Sequence, residues 1–382
     1  MTSSSFKISN LHRSLPTSNN RPPTTDRVSC EHHTLTAHSS KASVSIPSIE
    51  LGRMFASLLV LVVFTTLAAS VAATKESDTC TNATKIRIGL EWFVNPDHLP
   101  LIVAREHGIF ADMDLDVELV EPVDHWEAEA EILAGRLDVA VTEPLHLAQD
   151  AAQGKPVLGF GRFFHTDGGV MYNRDKGIER PRDMCGKTIS YPGSPGPEGP
   201  AIVQTMVEVD GGECDVTSYG KYNGGFYHTD ALESGTADVA TLIFWNFEIP
   251  EAKARNLNVS FFSLKEWGVP DFCQLVLMTT PERFSELQPS LRKLILALRR
   301  ATGVIHQNPT LAKEYYYSYT ETESSDMSEA ILTATLPSFP NDNTMAGDYY
   351  ASLVDWLHRT DQVKEAAKTV PVSTYWTNAI AL

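Results

Sequence analysis

The chain has few basic residues for its length. Its 382 residues include 31 lysines and arginines against 48 aspartates and glutamates, a formal charge of −17 at neutral pH. Proteins that bind nucleic acids concentrate Lys and Arg, because these side chains displace the counterions of phosphates. We therefore exclude a nucleic-acid partner. Hydrophobic residues make up 42% of the chain, as in ordinary globular proteins, and the length suits about two domain-sized units.

The sequence also lacks the short motifs of several common sites. It has no Cys-x-x-Cys, no paired histidines on a predicted helix, no Gly-x-Gly-x-x-Gly, no P-loop lysine and no Gly-x-Ser-x-Gly. These absences argue against a zinc site, a nucleotide-phosphate loop and a serine hydrolase. The loop with Gly193 and Ser194 precedes a predicted helix and could present N–H groups to an anion, but its four prolines remove donors. We expect neither a metal nor a resident cofactor.

The first 73 residues differ from the remainder. Residues 1–53 are rich in Ser, Thr, Pro and His and hold six basic against three acidic side chains, which is typical of a disordered or targeting leader. Residues 54–73 are uncharged and end in Val71-Ala72-Ala73, which predicts a signal peptide cleaved before Thr74. Twenty uncharged residues could instead form a signal anchor. We expect a protein of the secretory pathway, extracellular or periplasm-like in location.

From residue 84 onward, apolar strands alternate with helical stretches, the pattern of an α/β protein with mainly parallel sheets. The last third reads as helical, with a core-facing helix starting behind Pro289-Ser290. The predicted strands are 85–90, 116–120, 138–142, 187–191, 216–222, 238–243 and 273–278, and the predicted early helices are 101–107, 128–133 and 201–209.

One internal repeat points to two similar lobes. Gly135-Arg-Leu-Asp-Val-Ala140 recurs as Gly235-Thr-Ala-Asp-Val-Ala240, each a helix-ending glycine followed by a buried strand. Polar and aromatic residues follow both strands, at the edge where open α/β sheets bind ligands. They include Glu143 and His146 after the first strand, and Asn246 and Glu248 after the second. Two lobes facing one cleft are characteristic of hinged binding proteins.

Four cysteines follow the predicted signal peptide: Cys80, Cys185, Cys214 and Cys273. In an oxidising compartment three pairings are open to them. We expect Cys185 to pair with Cys214, because both fall in the same predicted lobe; four separate buried thiols are the alternative. Asn82 and Asn258 stand in permitted glycosylation sequons.

The strongest local signal is the loop Trp92-Phe-Val-Asn95-Pro-Asp97-His98-Leu-Pro, directly after the first strand. An aromatic plane, an amide, a carboxylate and an imidazole can together stack on a flat heterocycle and hydrogen-bond its edge. The alternative is that the aromatic residues belong to the core and that Asp97 caps a helix. Glu143 and His146 could form an acid/base pair, or a purely structural one.

At these residues the sequence resembles the superfamily of periplasmic binding proteins for thiamine pyrimidine precursors and the related hydroxymethylpyrimidine phosphate synthases. The resemblance runs from about residue 85 to about residue 319 and includes the Trp92 loop, the Gly-x-x-Asp-Val-Ala repeat and Asn246-Phe247-Glu248. It implies an α/β, two-lobed type II periplasmic-binding-protein fold in which each lobe is a mainly parallel sheet flanked by helices. Lobe one would comprise 84–180 and 265–382, lobe two 181–264, with a hinge near 180 and 264.

The two branches of this superfamily imply different chemistry. The synthases consume an active-site histidine together with pyridoxal phosphate held on a lysine, and they carry a run of cysteines. His146 matches that histidine, but Thr142 stands where the lysine belongs, and a hydroxyl cannot form a Schiff base. Only Cys273 remains of the cysteine run. Both departures favour the binding-protein branch and argue against an enzyme.

The sequence therefore predicts a secreted solute-binding protein for a small flat heterocycle, most plausibly a thiamine pyrimidine precursor. A divergent synthase using His146, or a protein of the same fold that binds another ligand such as a sulfonate, is the alternative. A membrane permease is implied as a partner by family analogy alone, and we expect a monomer. The resemblance and the residue types together assign the ligand contacts to Trp92 and Tyr191 for stacking, to Asn95, Asp97 and Glu248 for hydrogen bonding, and to His98, Glu143, His146, Gly193, Ser194, Asn223 and Asn246 as further candidates.

Overall fold

The computed structural model describes residues 83–122, 128–191, 198–225, 227–364 and 370–381. The predicted leader, the signal segment, Cys80, Asn82, Gly193 and Ser194 lie outside these ranges. No helix among the described residues is long and apolar enough to cross a membrane.

The first sheet has five strands in the order β2-β1-β3-β10-β4. Four of them run in the same direction, and β10 is antiparallel to both of its neighbours. Every residue of β3 and β10 is buried, as expected for central strands covered on both faces, whereas the edge strand β2 alternates between buried and exposed positions. The strands are β1 (Thr84–Gly89), β2 (Leu115–Val120), β3 (Val139–Thr142), β4 (Leu158–His165) and β10 (Gln274–Thr279).

The second sheet repeats this arrangement, in the order β7-β6-β8-β5-β9. Here β5 is the strand that runs antiparallel to its neighbours. Each lobe therefore receives its antiparallel strand from a chain segment that has just crossed from the other lobe. The strands are β5 (Gly168–Asn173), β6 (Thr188–Tyr191), β7 (Gly220–Asn223), β8 (Val239–Phe244) and β9 (Val259–Ser263).

Helices cover both sheets, and four of them form the C-terminal part. The helix α8 begins behind Thr280, whose side chain accepts the N–H of Arg283, and it continues through Pro289. The predicted start at Pro289-Ser290 is therefore wrong, because Thr280 and Pro281 already provide the N-cap and first-turn proline. The helices are α1 (Leu99–Glu106), α2 (Ile109–Asp112), α3 (Ala128–Leu133), α4 (Pro144–Ala152), α5 (Glu198–Val209), α6 (His228–Glu233), α7 (Trp245–Ala254), α8 (Pro281–Gln307), α9 (Pro309–Thr320), α10 (Asp326–Thr335) and α11 (Gly347–Arg359).

The two-lobed α/β fold is confirmed, and three details differ from expectation. The chain crosses between the sheets at Thr166 and Asp167, between β4 and β5. Residues 168–173 therefore join the second sheet as β5, although lobe one was predicted to extend to 180. The predicted strand 216–222 divides into a short 3-10 helix, Val216–Ser218, and β7. The strands β4, β5 and β9 were not predicted.

The disulfide between Cys185 and Cys214 is formed, as predicted, in the second lobe. Cys273 is a buried thiol at the start of β10. The sequon residue Asn258 is exposed, and its side-chain amide donates to Asp175 at 2.7 Å.

Candidate functional site

Loops from the two lobes meet where the strands β1 and β8 end. The residues after β1 form the loop 91–98, and those after β8 form the first turn of α7. An aromatic contact between Trp92 and Phe247 and a hydrogen bond between Asp97 and Asn246 join the two segments. The carboxyl ends of such strands are where open α/β sheets place their ligands. We call this region the cleft.

Three aromatic rings from both lobes form one wall of the cleft. The ring centroid of Trp92 lies 5.0 Å from that of Phe93 and 5.3 Å from that of Phe247, and the two phenylalanine centroids are 6.3 Å apart. All three side chains are half-buried. Tilted and edge-to-face pairs at these separations are favourable aromatic contacts. The three rings therefore form one aromatic cluster to which both lobes contribute.

Short hydrogen bonds hold the loop 91–98 in shape. The side chain of Asn95 accepts the N–H of Asp97 at 2.8 Å and donates to the carbonyl of Phe93 at 3.0 Å, so Asn95, not Asp97, is the cap of the 3-10 helix Pro96–His98. His98 is fully buried, and its Nε2 lies 3.0 Å from the carboxylate of Glu91. Burial lowers the pKa of His98, but the charge and hydrogen bond of Glu91 outweigh burial and raise it. Asn95 and His98 therefore organise the loop.

Asp97 belongs to a buried network that spans the cleft. It is 1% exposed, and its Oδ1 accepts the side-chain N–H of Asn246 at 2.6 Å. The same Nδ2 donates to the hydroxyl of Thr335, at the end of α10, at 2.8 Å. Burial raises the pKa of Asp97 to about 7, although Asn246 and His98 favour its charged form. The network links a lobe-one loop, a lobe-two helix and the C-terminal part of the chain.

Glu248 is the second buried carboxyl of the cleft. It is 2% exposed, and its Oε2 accepts the backbone N–H of Phe244 at 3.0 Å. Its Oε1 has no hydrogen-bond partner among the described residues. Burial, reinforced by the charges of Glu251 and Asp97, raises the pKa of Glu248 well above its ordinary value. No Lys or Arg within the described part of the chain pairs with Glu248 or Asp97.

A bulge in β8 lies directly before the first turn of α7. Leu242 has φ +60°, and the pairing with β5 jumps from Ile243–Gly169 to Ala240–Met171, so two residues of β8 oppose one residue of β5. A left-handed conformation costs a leucine about 1 kcal/mol or more. Bulges increase strand twist and reorient the side chains that follow. Here the residues that follow are Phe244 and the start of α7.

Glu143 and His146 form the hydrogen-bonded pair that the sequence allowed. His146 Nδ1 lies 2.7 Å from Glu143 Oε2, at the start of α4, and both side chains are partly exposed. Thr142 ends β3 and pairs with Val276 of β10 in a buried position. Its hydroxyl, unlike an amine, cannot form a Schiff base.

The predicted contacts Tyr191 and Asn223 lie at the ends of two paired strands of lobe two. Tyr191 is buried at the end of β6, directly paired with Asn223 of β7. A Cβ on Gly199, in the first turn of α5, would lie only 3.1 Å from Tyr191 Cβ, so glycine lets the helix approach the end of β6 closely at this position. Asn223 is exposed, and its Oδ1 accepts the N–H of Gly225 at 2.9 Å.

A protein-family model described as "NMT1/THI5 like" matches residues 95–312, more than half of the chain. The chain belongs to the NMT1/THI5-like family. The resemblance noted in the sequence is thereby confirmed. The match includes Asp97, His146, Asn246 and Glu248, and it ends before the helix α10 that supplies Thr335.

Three relatives of the chain have informative names. A putative thiamine biosynthesis protein of Haemophilus influenzae is 28% identical over 67% of this chain and 81% of its own length. A formylaminopyrimidine-binding protein of Halalkalibacterium halodurans is 25% identical, over 73% of this chain and 86% of its own. A 4-amino-5-hydroxymethyl-2-methylpyrimidine phosphate synthase of Legionella pneumophila is 26% identical, over 67% of this chain and 80% of its own length. This family therefore includes proteins named as binding proteins and as enzymes.

Among solved structures, the alkanesulfonate-binding protein of Xanthomonas axonopodis, bound to MOPS, superposes with a TM-score of 0.60. The superposition covers 76% of this chain and 98% of that protein at 12% identity. At this identity the likeness establishes the periplasmic-binding-protein fold and no more.

Two partners of the site could not be recognised beforehand. Phe247 lay inside a motif that the sequence analysis singled out, but its contact with Trp92 joins residues of different lobes. Thr335 lies 89 residues beyond Asn246 and had no sequence signal at all. Glu248, by contrast, was selected for being a carboxyl residue just beyond a buried strand.

Proposed function

We propose that this NMT1/THI5-like protein is a solute-binding protein for a pyrimidine precursor of thiamine. The observation that carries the proposal is the buried carboxyl of Glu248, with one unpartnered oxygen, close to aromatic rings contributed by both lobes. A flat heterocycle with exocyclic N–H groups is a good match, because its faces stack on rings while its edge donates to the carboxyl. The relative named for formylaminopyrimidine binding, aligned over most of its length, supports this ligand class.

The residues of the cleft would then have distinct roles. Trp92 and Phe247 would stack on the ligand, and Glu248 and Asp97 would bond its edge. Asn95 and His98 would act indirectly, by holding the loop 91–98 in place. The ring centroids of Trp92 and Phe247 are 5.3 Å apart, so a ligand could enter between them only if the lobes moved apart. The lobes would open about the crossings near Asp167 and Ser263, and binding would close them again.

The disulfide between Cys185 and Cys214 supports a location outside the cytoplasm. Such bonds persist in oxidising compartments and are rare where glutathione keeps thiols reduced. This agrees with the signal peptide proposed for residues 54–73 and with the periplasmic-binding-protein fold of the solved relatives. A membrane permease that receives the ligand is the corresponding partner, and the closed monomer is the form that we expect it to recognise.

The pair Glu143–His146 favours one alternative, a divergent pyrimidine phosphate synthase. In this pair, Nδ1 of His146 lies 2.7 Å from the carboxylate of Glu143, which positions the imidazole. Several relatives of the chain are named as that enzyme. The residues do not fit pyridoxal phosphate, however, because Thr142 offers no amine for a Schiff base. We derive no reaction step for this alternative.

Calorimetric titration of the secreted chain, residues 74–382, distinguishes the two functions. The ligands are formylated and free aminopyrimidine precursors, thiamine and pyridoxal phosphate. We expect micromolar binding of an aminopyrimidine that is lost in Glu248→Ala and retained in Tyr222→Ala, an exposed control. Binding of pyridoxal phosphate without any pyrimidine binding would overturn the transport function and restore the enzyme.

A further inference from the structure

The first turn of α7 presents hydrogen-bond acceptors, although the start of a helix normally presents donors. Glu248 Oε1 and Asn246 Oδ1 are both buried and have no partner among the described residues. Pro250 lies four residues after Asn246 and has no N–H, so the usual helical bond to the carbonyl of Asn246 is not made. These oxygens of the turn are therefore open to hydrogen-bonding groups of a ligand.

Among the described residues, no Lys or Arg pairs with Glu248 to balance its charge. The carboxyl groups that act on it electrostatically are Glu251, on the same helix, and Asp97, across the cleft. Glu251 already accepts the hydroxyl of Thr229 and bonds to Arg255, so that arginine serves Glu251 and not Glu248. An ionised carboxylate without a counter-charge is very costly to bury. A buried carboxyl in these surroundings is stable in its neutral form.

A backbone contact fixes where the carboxyl of Glu248 lies. Its Oε2 accepts the N–H of Phe244, the last residue of β8, so the carboxyl lies where the strand ends and α7 begins. The residues before it in this turn contact the lobe-one loop, since Asn246 bonds to Asp97 and Phe247 touches Trp92. Glu248 therefore lies beside the cleft.

We propose that Glu248 holds a proton in the empty cleft and transfers it from Oε1 to a basic ring nitrogen of the ligand, so that the site selects weakly basic heterocycles. The O–H bond of the carboxyl breaks and an N–H bond forms on the ring. The products are a carboxylate and a protonated ring joined by a charge-assisted hydrogen bond, and the total charge of the site is unchanged. The inference rests on the proposed function, because it assumes that the ligand is a nitrogen heterocycle.

The first test reads the proton directly and needs no variant. The ring nitrogens of an aminopyrimidine are labelled with ¹⁵N, and its NMR spectrum is recorded free and bound to the secreted chain at a pH where the free base is neutral. We expect one bound nitrogen to show the chemical shift of the protonated ring. A bound spectrum that retains the neutral shift would overturn the proposal while leaving the proposed function intact.

The second test compares matched variants and ligands. Glu248→Gln keeps the shape of the side chain but cannot transfer the proton, and Glu251→Gln is the control on the same helix. The ligands are the aminopyrimidine and its carbocyclic analogue, in which C–H groups replace the ring nitrogens. Because a charge-assisted hydrogen bond exceeds a neutral one by about tenfold in affinity, we expect wild type and Glu251→Gln to prefer the pyrimidine by about tenfold more than Glu248→Gln does.

In Glu248→Gln, whose amide can make only a neutral hydrogen bond to a ring nitrogen, this preference should fall by about that factor. Equal preference in Glu248→Gln and wild type would overturn the proposal. Failure of the wild-type protein to bind any aminopyrimidine would instead overturn the proposed function, so the two failures are distinguishable. Should Glu248→Gln not fold, the ¹⁵N shift on the wild-type protein decides the question.

Discussion

Replacing Asp97 with asparagine should remove a pH dependence from the stability of the protein. Asp97 is buried, and its pKa is raised from the ordinary 3.8 to about 7. Between these two pH values the folded protein holds a proton that the unfolded chain has lost, so stability falls as pH rises through this window. Below about pH 4 the effect is absent, and above pH 7 it is complete.

The size of the effect follows from the shift. About three pKa units correspond to about 4 kcal/mol in the free energy of unfolding, of which about 2.5 kcal/mol is lost between pH 5 and pH 8. Asparagine keeps an oxygen that can accept the 2.6 Å bond from Asn246 but does not ionise. Asp97→Asn should therefore lose about 2.5 kcal/mol less stability than wild type between these two pH values.

Urea unfolding at pH 5 and pH 8, followed by circular dichroism, measures this difference. The matched control is Asp116→Asn, the same substitution at an exposed position on the edge strand β2, outside the buried network. Comparing pH-dependent losses, rather than stabilities at one pH, cancels the cost of the substitution itself. Equal losses in wild type and Asp97→Asn would show that this carboxyl ionises normally, and the reasoning about its burial would be refuted.

Three further predictions concern other contacts. Trp92→Ala should weaken pyrimidine binding by about tenfold through loss of stacking, whereas Trp92→Phe should retain most of the affinity, as calorimetry would show. Replacing Cys185 and Cys214 together with alanine should cost about 3 to 4 kcal/mol, since the bond closes a 29-residue loop; a denaturation midpoint unaffected by reducing agent would contradict this. Thr335→Val should cost about 1 to 3 kcal/mol by removing a buried acceptor, and an unchanged denaturation midpoint would argue against the network.

Much of the fold follows from local sequence signals. Gly135 and Gly235 both adopt positive φ, +69° and +72°, and each ends a helix one turn before a buried strand, as the repeat predicted. These positions can be predicted from the sequence, because a left-handed backbone conformation strongly favours glycine and because short apolar runs are typical of buried strands. The predicted bounds of α3 agree with the structure at both ends.

The strands that were missed depend on pairing between distant parts of the chain. The strand β5 begins with two glycines, and β4 contains Gly159 and Gly161, so neither has the composition of a strand. They form because β4 pairs with β10 and β5 pairs with both β8 and β9, more than 60 residues away in every case. The crossing between lobes lies between these two strands, and for this reason the lobe boundary was placed too late.

The residues of the candidate site also fall into two groups, those that local sequence patterns identified and those that only the packing of the chain brought together. The sequence by itself determined which side chains stand at the ends of strands, and so it identified the loop of Trp92 and the turn of Glu248, because strand ends and loop residues leave local patterns. Only the tertiary structure decided that the side chains of Asn95 and His98 form hydrogen bonds within the loop. It also decided that Asp97 bonds to Asn246 and that Thr335 accepts a second bond from Asn246. Residues 149 and 89 positions apart come together through the packing of lobes and helices, and the ionisation of the carboxyls follows from the burial that this packing creates.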